Sequence, residues 1–241
     1  MSSLAVKPIK TQKNDIKQSP YMEKNIIAKF PSMMLNIGRS GSGKSTVIAH
    51  MCNDPNFYGS YFNHILLFSP TGETDDLVKC LKLPQKNIIT KPTEEKLNEI
   101  LNSQKHLIKT KGIKWVGENS KILLIFDDIV SDRRFLESPS MLKLAAMGRH
   151  FLVSSVINTQ SYTKIPRAVR LQANSIIMFP SNQTEVERLV DDWTPPHKSK
   201  KEFRSLVAHA TSGKHDFIFI HAASEVKDRF RKCFHTFLEI P

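Results

Sequence analysis

A glycine-rich segment, residues 38–45, constrains the fold of this chain more than any other stretch. It reads Gly-Arg-Ser-Gly-Ser-Gly-Lys-Ser and matches the pattern G-x-x-x-x-G-K-[ST]. An apolar run, residues 33–37, precedes it, and residues 46–51 have a composition that can begin a helix. A strand, a glycine loop and a helix in this order are the context in which the pattern binds phosphate. The sequence therefore predicts a nucleotide-binding α/β fold.

The residue types of this loop suit a polyphosphate ligand. Glycines lack Cβ atoms, so the backbone can bend sharply and turn its N–H groups toward the ligand. We expect Lys44 to place a positive charge beside the β- and γ-phosphates, and Ser45 to offer its hydroxyl to Mg²⁺. The dipole of the following helix adds to this attraction. The predicted nucleotide-binding residues are Gly38, Arg39, Ser40, Gly41, Ser42, Gly43, Lys44, Ser45 and Thr46.

A second stretch brings two carboxylates to the end of an apolar strand. Residues 122–126 are all apolar, and Asp127 and Asp128 follow them directly. Parallel α/β sheets bind ligands at the carboxyl ends of their strands. Successive side chains of an extended strand point to different sides, so one carboxylate can bind hydrated Mg²⁺ while the next faces the attacking water. This pattern is typical of a Walker B strand with a catalytic acid.

Other apolar runs predict the rest of a mainly parallel sheet. Residues 64–69 and 175–179 are predicted to be buried strands, and residues 88–90 a short edge strand. The strand predicted at residues 151–158 leads to Gln160, whose amide could sense the γ-phosphate or position water. Gln160 is therefore a candidate catalytic residue, and the alternative for it is an amide that only caps the loop.

Capping residues predict where several helices begin and end. Thr93 is a predicted N-cap, and Ser138 is predicted to cap a helix with proline at its first position. Gly148 is predicted to end that helix as its C′ residue. In the C-terminal third, Asn182 begins a capping-box-like helix, and a second helix is expected to close at Gly213 before a final strand.

The charge balance points to a polyanionic partner. Lys and Arg total 35 against 23 acidic residues, which gives a formal net charge of +12 and a pI of about 9.6. DNA or RNA is the first expectation for such a partner, and a membrane surface is the second. No apolar run approaches the ~18 residues that a membrane-spanning helix needs.

The cysteines indicate an intracellular, reducing compartment. Cys52, Cys80 and Cys233 show no paired spacing, which argues against disulfides and against a zinc site.

The chain is predicted to form one domain with a tail. Residues 1–20 are predicted to be a flexible basic tail, since they are rich in lysine and poor in apolar anchors. This composition also argues against a secretory signal. Residues 21–241 are predicted to be a single ATPase domain, with a core at residues 30–180 and a C-terminal extension at residues 181–241.

Taken together, the motifs resemble a known family. In chain order they read GRSGSGKST, KILLIFDD, GRHFLVSSVINTQSYTKIPRAVR and NSIIMF. This series resembles the poxvirus-type genome-packaging ATPases of large double-stranded-DNA viruses, which belong to the FtsK–HerA superfamily of ring-shaped translocases. The similarity covers roughly residues 30–179. The phosphate loop is generic, and the long third segment is the more specific part.

The resemblance assigns a role to each motif residue. It implies that Lys44 and Ser45 hold phosphate and Mg²⁺, and that Asp127 is the acid on the Mg²⁺ side. Asp128 would orient or deprotonate water, and Gln160 would be the sensor. Much of the superfamily has Glu at the position of Asp128, so the shorter acid reaches less far toward the attacking water.

Arg149 matches the arginine that family members supply to the ATP of a neighbouring subunit. It precedes its predicted strand, so about eight residues at ~3.3 Å each separate it from a nucleotide at the carboxyl end of that strand. It acts in trans or it is structural. Arg167 and Arg170 are rivals, and Arg39 could act in cis.

The resemblance implies a RecA-like P-loop NTPase: an α/β fold with a mainly parallel sheet flanked by helices and a small C-terminal helix–strand extension. The implied function is Mg²⁺-dependent ATP hydrolysis that moves double-stranded DNA, with packaging into a viral capsid as the expected setting. The expected assembly is a homo-oligomeric ring, a pentamer or hexamer, with a capsid or portal protein as a further partner. The expected location is the host cytoplasm, the virus factory or the virion. A cellular-type DNA pump or helicase, or a P-loop kinase or phosphotransferase, are the alternatives.

Overall fold

The computed structural model describes residues 16–72 and 76–240, and the strands of this part form one nine-stranded sheet. The strands are β1 (Met33–Ile37), β2 (His64–Phe68), β3 (Ile88–Ile89), β4 (Ile122–Asp127), β5 (Val153–Thr159), β6 (Ser175–Met178), β7 (Ile218–His221), β8 (Phe230–Lys232) and β9 (Thr236–Leu238). Their order across the sheet is β3-β2-β4-β5-β1-β6-β7-β8-β9.

Helices connect most of these strands. They are α1 (Pro20–Glu23), α2 (Lys44–Asn53), α3 (Asp76–Leu81), α4 (Glu94–Lys111), α5 (Ile113–Asn119), α6 (Arg133–Leu136), α7 (Pro139–Phe151), α8 (Arg167–Arg170), α9 (Gln183–Trp193), α10 (Lys200–Ala210) and α11 (Val226–Arg229). Among the described residues, none of these helices has both the length and the apolar composition needed to cross a bilayer.

The sheet has a parallel part and an antiparallel part. β1 to β6 run parallel, and β7, β8 and β9 continue the sheet as antiparallel neighbours. The α/β fold with a mainly parallel sheet and a C-terminal helix–strand extension is therefore confirmed. β5 lies between β1 and β4, so the residue at its carboxyl end lies between the phosphate loop and the acids.

Both faces of the sheet are buried, which explains the continuous apolar runs of its strands. In β4, Leu124 and Phe126 belong to one hydrophobic cluster, and Leu123 and Ile125 belong to the other. Helices α4 and α7 supply the first cluster, and α2 supplies the second through residues such as Met51. Complete burial of one such side chain stabilises the fold by ~1.5–3 kcal/mol. Packing on both faces thus holds the strands in place, including their carboxyl ends, where the predicted site residues lie.

The three predicted N-caps are confirmed by hydrogen bonds. The Thr93 hydroxyl accepts from the Lys96 N–H at 3.2 Å, and the Ser138 hydroxyl accepts from the Met141 N–H at 3.3 Å. The Asn182 carbonyl oxygen accepts from the Glu185 N–H at 3.0 Å.

The predicted end of α7 is wrong. The helix continues past Gly148 to Phe151, and Leu152 ends it in the left-handed region with φ 53°. A Cβ atom at Gly148 would lie 3.2 Å from the carbonyl oxygen of Val153. The glycine therefore serves the close approach of helix and strand, and β5 begins at Val153 instead of residue 151. Arg149 consequently lies in the last turn of α7.

The end of α10 also differs from the prediction. The helix ends at Ala210, three residues before Gly213. The N–H of Gly213 donates to Oδ2 of Asp216 at 3.0 Å, and the same carboxylate pairs with Lys232 at 2.7 Å. The glycine therefore belongs to a turn that connects α10 to β7, and this turn carries His215.

The predicted N-terminal tail falls partly outside the described residues, which begin at residue 16. Residues 16–20 contact the rest of the protein. The Phe30 N–H donates to Oε1 of Gln18 at 2.8 Å, and Ile16 packs against Gly117.

Candidate nucleotide site

The predicted phosphate loop connects β1 to α2 and forms one wall of a cleft of about 490 Å³. Gly41 and Gly43 have φ values of 71° and 111°, in the region that favours glycine. A Cβ atom at Gly38 would lie 2.4 Å from the Ser42 hydroxyl oxygen and 2.8 Å from Cβ of Phe179. Two different requirements, backbone conformation and close packing, therefore select glycine in this loop.

Lys44 begins α2 and is almost completely buried at the floor of the cleft. Its ammonium group donates to the carbonyl oxygen of Arg39 at 3.1 Å. Burial lowers the pKa of Lys44 below its ordinary value, and the carboxylates of Asp128 and Asp127 act in the opposite direction. A bound phosphate would add further negative charge and favour the protonated amine. The side chain is therefore held where an anionic ligand would complete its environment.

The two acids lie at the carboxyl end of β4, as predicted, and both line the same cleft. Asp127 is the last residue of the strand and is buried, whereas Asp128 takes a left-handed conformation with φ 49° and is exposed. Gln160 also lines the cleft, and its Nε2 lies 3.5 Å from Oδ2 of Asp128. The structure thus brings together Lys44, Ser45, Thr46, Asp127, Asp128 and Gln160.

Two buried asparagines join these residues, and the sequence reasoning did not identify them. Asn36 and Asn158 are register partners in β1 and β5, and Asn158 is also the register partner of Asp127 in β4. Nδ2 of Asn36 donates to Oδ1 of Asn158 at 2.9 Å and to the carbonyl oxygen of Lys44 at 3.0 Å. Nδ2 of Asn158 donates to Oδ1 of Asp127. The sequence signal that could have identified them is an asparagine within a strand that is otherwise mostly apolar.

His215 and Phe179 complete the cleft from the C-terminal side, and they were also missed. Nδ1 of His215 lies 3.0 Å from the carbonyl oxygen of Ser42. Phe179 follows β6 and packs against Gly38 and Gly43. The contact between His215 and Ser42 spans 173 residues of sequence, and no local sequence pattern predicts it.

Residues 19–237 match the family model described as Poxvirus A32 protein. The chain belongs to the poxvirus A32 protein family. The resemblance inferred from the motifs is therefore confirmed, and the match extends beyond them through the antiparallel strands.

Individual relatives of this family member are distant in sequence. Uncharacterized protein 075L of Invertebrate iridescent virus 6 is 24% identical over 148 residues, which is 61% of this chain and 54% of that protein. The chain thus aligns with about half the length of that curated relative.

Solved structures share the fold. B204, the DNA-packaging ATPase of Sulfolobus turreted icosahedral virus, is similar with a TM-score of 0.60 and 17% identity over 84% of this chain and 97% of B204. B204 of Sulfolobus turreted icosahedral virus 2, a genome-packaging NTPase in complex with ATP-γS, is similar with a TM-score of 0.55 and 15% identity over 88% of this chain and 98% of B204.

The four candidate arginines of this A32-family chain have different surroundings. Arg39 is exposed in the phosphate loop, and Arg167 is exposed at the start of α8. Arg149 lies near the amino end of β5, beside Ser32 and Val153, in a separate cleft from the phosphate loop.

Arg170 is buried, and two of its guanidinium nitrogens donate hydrogen bonds within the chain. Its Nε pairs with Asp192 at 2.6 Å, and its guanidinium also donates to the carbonyl oxygen of Ile165 at 2.7 Å. The ion pair with Asp192 connects α8 to α9.

Proposed function

We propose that this protein is an ATP-hydrolysing motor that moves double-stranded DNA, and that it packages a viral genome. One observation carries the proposal: a lysine from the phosphate loop, two acids from β4 and an amide following β5 line a single cleft. Membership of the A32 family supports it, and so do the names of the similar B204 proteins. The proposed unit is a single ATPase domain over residues 21–241.

The residues of the cleft divide the work of hydrolysis. The N–H groups of the loop and the ammonium group of Lys44 bind the β- and γ-phosphates and stabilise the charge that develops on them. Asp128 and Gln160 lie next to each other and orient the attacking water, whose proton Asp128 accepts. Positioning and charge neutralisation thus supply most of the rate enhancement.

The same cleft has donors that suit Mg²⁺. The hydroxyl of Ser45 and the carboxylate of Asp127 are hard oxygen ligands, and both residues line the cleft. Asn158 donates to the Asp127 carboxylate and holds its orientation. When bound, the ion would neutralise charge on the β- and γ-phosphate oxygens.

We assign Arg149 to the nucleotide of a neighbouring subunit. It is exposed in the last turn of α7, and the cleft beside it shares no residue with the nucleotide cleft of its own chain. A head-to-tail interface between copies would bring it to the next nucleotide, and such an interface forms a ring when the rotation between copies closes. We propose a pentameric or hexameric ring that docks on a capsid or portal protein in the host cytoplasm, the virus factory or the virion.

The DNA partner follows from the charge of the chain. A net charge of +12 favours binding to a polyanion through its phosphates. Such binding is independent of base sequence and weakens steeply as salt rises.

The deciding experiment measures ATP turnover with and without double-stranded DNA at two salt concentrations. We expect DNA to stimulate turnover and salt to reduce the stimulation. Lys44→Ala should abolish turnover, and Asp128→Asn should stop turnover while ATP still binds. Full activity of Lys44→Ala would remove the site assignment. Turnover that is indifferent to DNA at both salt concentrations would favour a phosphotransferase.

A further inference from the structure

A further cleft, of about 720 Å³, lies beside the segments that follow β4 and β5. One side comes from the segment after β4, with Ser131, Arg133 and Glu137. The other side comes from the segment after β5, residues 163–168, together with Arg170. None of the residues that line this cleft lines the nucleotide cleft. We name it the basic cleft.

The exposed charge of the basic cleft is predominantly positive. Arg133, Lys164 and Arg167 are exposed, and the acidic residue among those lining the cleft is Glu137. Glu137 pairs with Arg133 at 2.8 Å, but the Arg133 side chain is largely exposed to solvent and that of Glu137 is half exposed. Exposed pairs of this kind are weak and are readily exchanged for another anion. The cleft therefore offers three cations to a ligand from outside.

The chemistry of the lining favours phosphate groups. Arginine and lysine side chains bind phosphate oxygens, and the hydroxyl of Ser131 is a further donor at the same surface. The cations are contributed by two separate segments, which suits successive phosphates of a chain better than a single small anion. Contacts to phosphate carry no base information, so recognition through them would be independent of sequence.

The position of the basic cleft connects it to hydrolysis. Arg133 follows Asp128 by five residues, and Lys164 follows Gln160 by four. The second segment is firmly anchored, because Glu185 accepts hydrogen bonds from the Thr163 N–H at 2.8 Å and from its hydroxyl at 2.9 Å. A ligand bound in this cleft would therefore contact both segments that carry the water-orienting side chains.

From these observations we infer that the basic cleft binds the phosphate backbone of the DNA that the motor moves. This inference rests on the proposed function and assigns the residues that contact its substrate. DNA bound there would bias the arrangement of Asp128 and Gln160, which would account for stimulation of turnover by DNA.

The test compares two double variants that remove the same charge. Arg133→Gln/Lys164→Gln removes two cations from the basic cleft, and Lys105→Gln/Lys109→Gln removes two exposed cations from α4. The measurement is the dissociation constant of a fluorescent DNA duplex by anisotropy, at salt concentrations from about 50 to 200 mM, the range over which phosphate contacts respond strongly.

We expect the basic-cleft variant to bind DNA roughly tenfold more weakly per lost contact near 0.1 M salt, with a salt slope smaller by about 1.8. Its DNA-free turnover should equal that of the wild type, and stimulation by DNA should be lost. The α4 variant should retain both the slope and the stimulation.

Equal behaviour of the two double variants would overturn the inference, because only total charge would then matter. If the wild-type protein itself neither binds DNA nor responds to it, the proposed function fails as well. Failure of the inference alone would instead leave DNA binding and stimulation of the wild-type protein intact. The inference would also be overturned if the basic-cleft variant lost binding to phosphatidylserine vesicles but bound DNA as the wild type does. The basic cleft would then be assigned to a membrane surface. If Arg167→Gln lowers DNA-free turnover with an unchanged salt slope, Arg167 serves a neighbour's nucleotide instead of DNA.

Discussion

At the scale of single residues, buried amides organise the candidate site. Asn158 lies in register between Asn36 and Asp127, and it hydrogen bonds to both. An amide can donate on one side and accept on the other, which an apolar residue at this position could not do. Three adjacent strands are thereby connected in the residue row that brings Asn158 and Asp127 to the nucleotide cleft, and hydrogen bonds orient the Asp127 carboxylate before any ligand binds.

His215 is expected to act on the phosphate loop through the backbone. In a trans peptide the C=O and N–H groups point in opposite directions, so a hydrogen bond to the Ser42 carbonyl also sets the direction of the Gly43 N–H. We predict that His215→Ala raises the dissociation constant of a fluorescent ATP analogue roughly three- to tenfold, the value of one hydrogen bond.

His215→Asn should restore most of this affinity, because its amide nitrogen lies near the position of Nδ1. His209→Ala removes an exposed histidine from α10 and serves as the matched control. If the alanine and asparagine variants of His215 weaken binding equally, the histidine does not act through this hydrogen bond.

At the scale of elements, α9 anchors the loop that follows β5. The buried carboxylate of Glu185 accepts from the Ser161 hydroxyl at 2.8 Å and from both donors of Thr163. Gln160 immediately precedes this anchored segment. The first turn of α9 therefore holds the loop directly after Gln160, at the carboxyl end of β5.

We predict that Glu185→Ala lowers ATP turnover about tenfold or more while ATP affinity changes little, in line with the effect of removing groups that orient site residues. The reason is that the phosphate-binding groups are unaltered, whereas the position of Gln160 is no longer fixed. Glu187→Ala is the control, because it removes another carboxylate of α9, one that makes a partly exposed pair with Arg204 of α10. A parallel loss of affinity and turnover in Glu185→Ala would indicate general disruption of the cleft.

The elements themselves were largely predictable from the sequence, and their ends were less so. Strands such as β4 were found because a continuous apolar run requires burial on both faces. The helix ends predicted at Gly148 and Gly213 were wrong. Gly148 allows close packing of helix and strand, and Gly213 begins a turn. A glycine signals a special backbone or contact requirement without saying which of them applies.

The candidate site was predictable only where its chemistry follows a local motif. Lys44, Asp128 and Gln160 each follow an apolar strand, so the carboxyl edge of the sheet collects them. Asn158 and His215 act through strand register and through a distant turn, and neither depends on the residues next to them in sequence. Such contacts become visible only when the order of the strands is known.

At the scale of the whole molecule, His221 couples the N-terminal segment to the C-terminal strands. Its Nδ1 contacts the Ser224 hydroxyl, which accepts from Nδ2 of Asn25 at 3.0 Å. Arg231 also donates to the carbonyl oxygen of Ile26 at 2.8 Å. Burial lowers the pKa of His221 to about 4, and the guanidinium of Arg231 acts in the same direction.

We predict that this histidine makes the fold sensitive to mild acid. Between pH values of about 6.5 and 4 the unfolded chain binds a proton that the folded protein excludes, so stability is lost as the pH falls through this window. Urea unfolding at pH 5 should give a free energy of unfolding about 2 kcal/mol lower than at pH 7 from this group. In His221→Gln the free energy of unfolding should change less between pH 7 and pH 5 by this amount. If its pH dependence is unchanged, other groups are responsible for it.

The assignment of Arg149 to a neighbouring subunit predicts complementation between two inactive proteins. Arg149→Ala keeps an intact nucleotide cleft but supplies no arginine, and Asp128→Asn has an inactive cleft but still supplies its own Arg149. In an equimolar mixture that assembles at random, about a quarter of the clefts are intact and also face a neighbour that retains Arg149. An arginine that acts on a neighbour's nucleotide contributes ~10³-fold or more to turnover.

We therefore expect ATP turnover of the mixture to approach a quarter of the wild-type rate, while each variant alone is nearly inactive. Asp128→Asn mixed with Lys44→Ala is the control, because both substitutions damage the cleft and neither subunit offers an intact one. Absence of rescue, with assembly of the mixed oligomer verified by its mass, would show that Arg149 acts within its own chain or only supports α7. Rescue in the first mixture and its absence in the control would require that each active cleft is completed by a second copy of the protein.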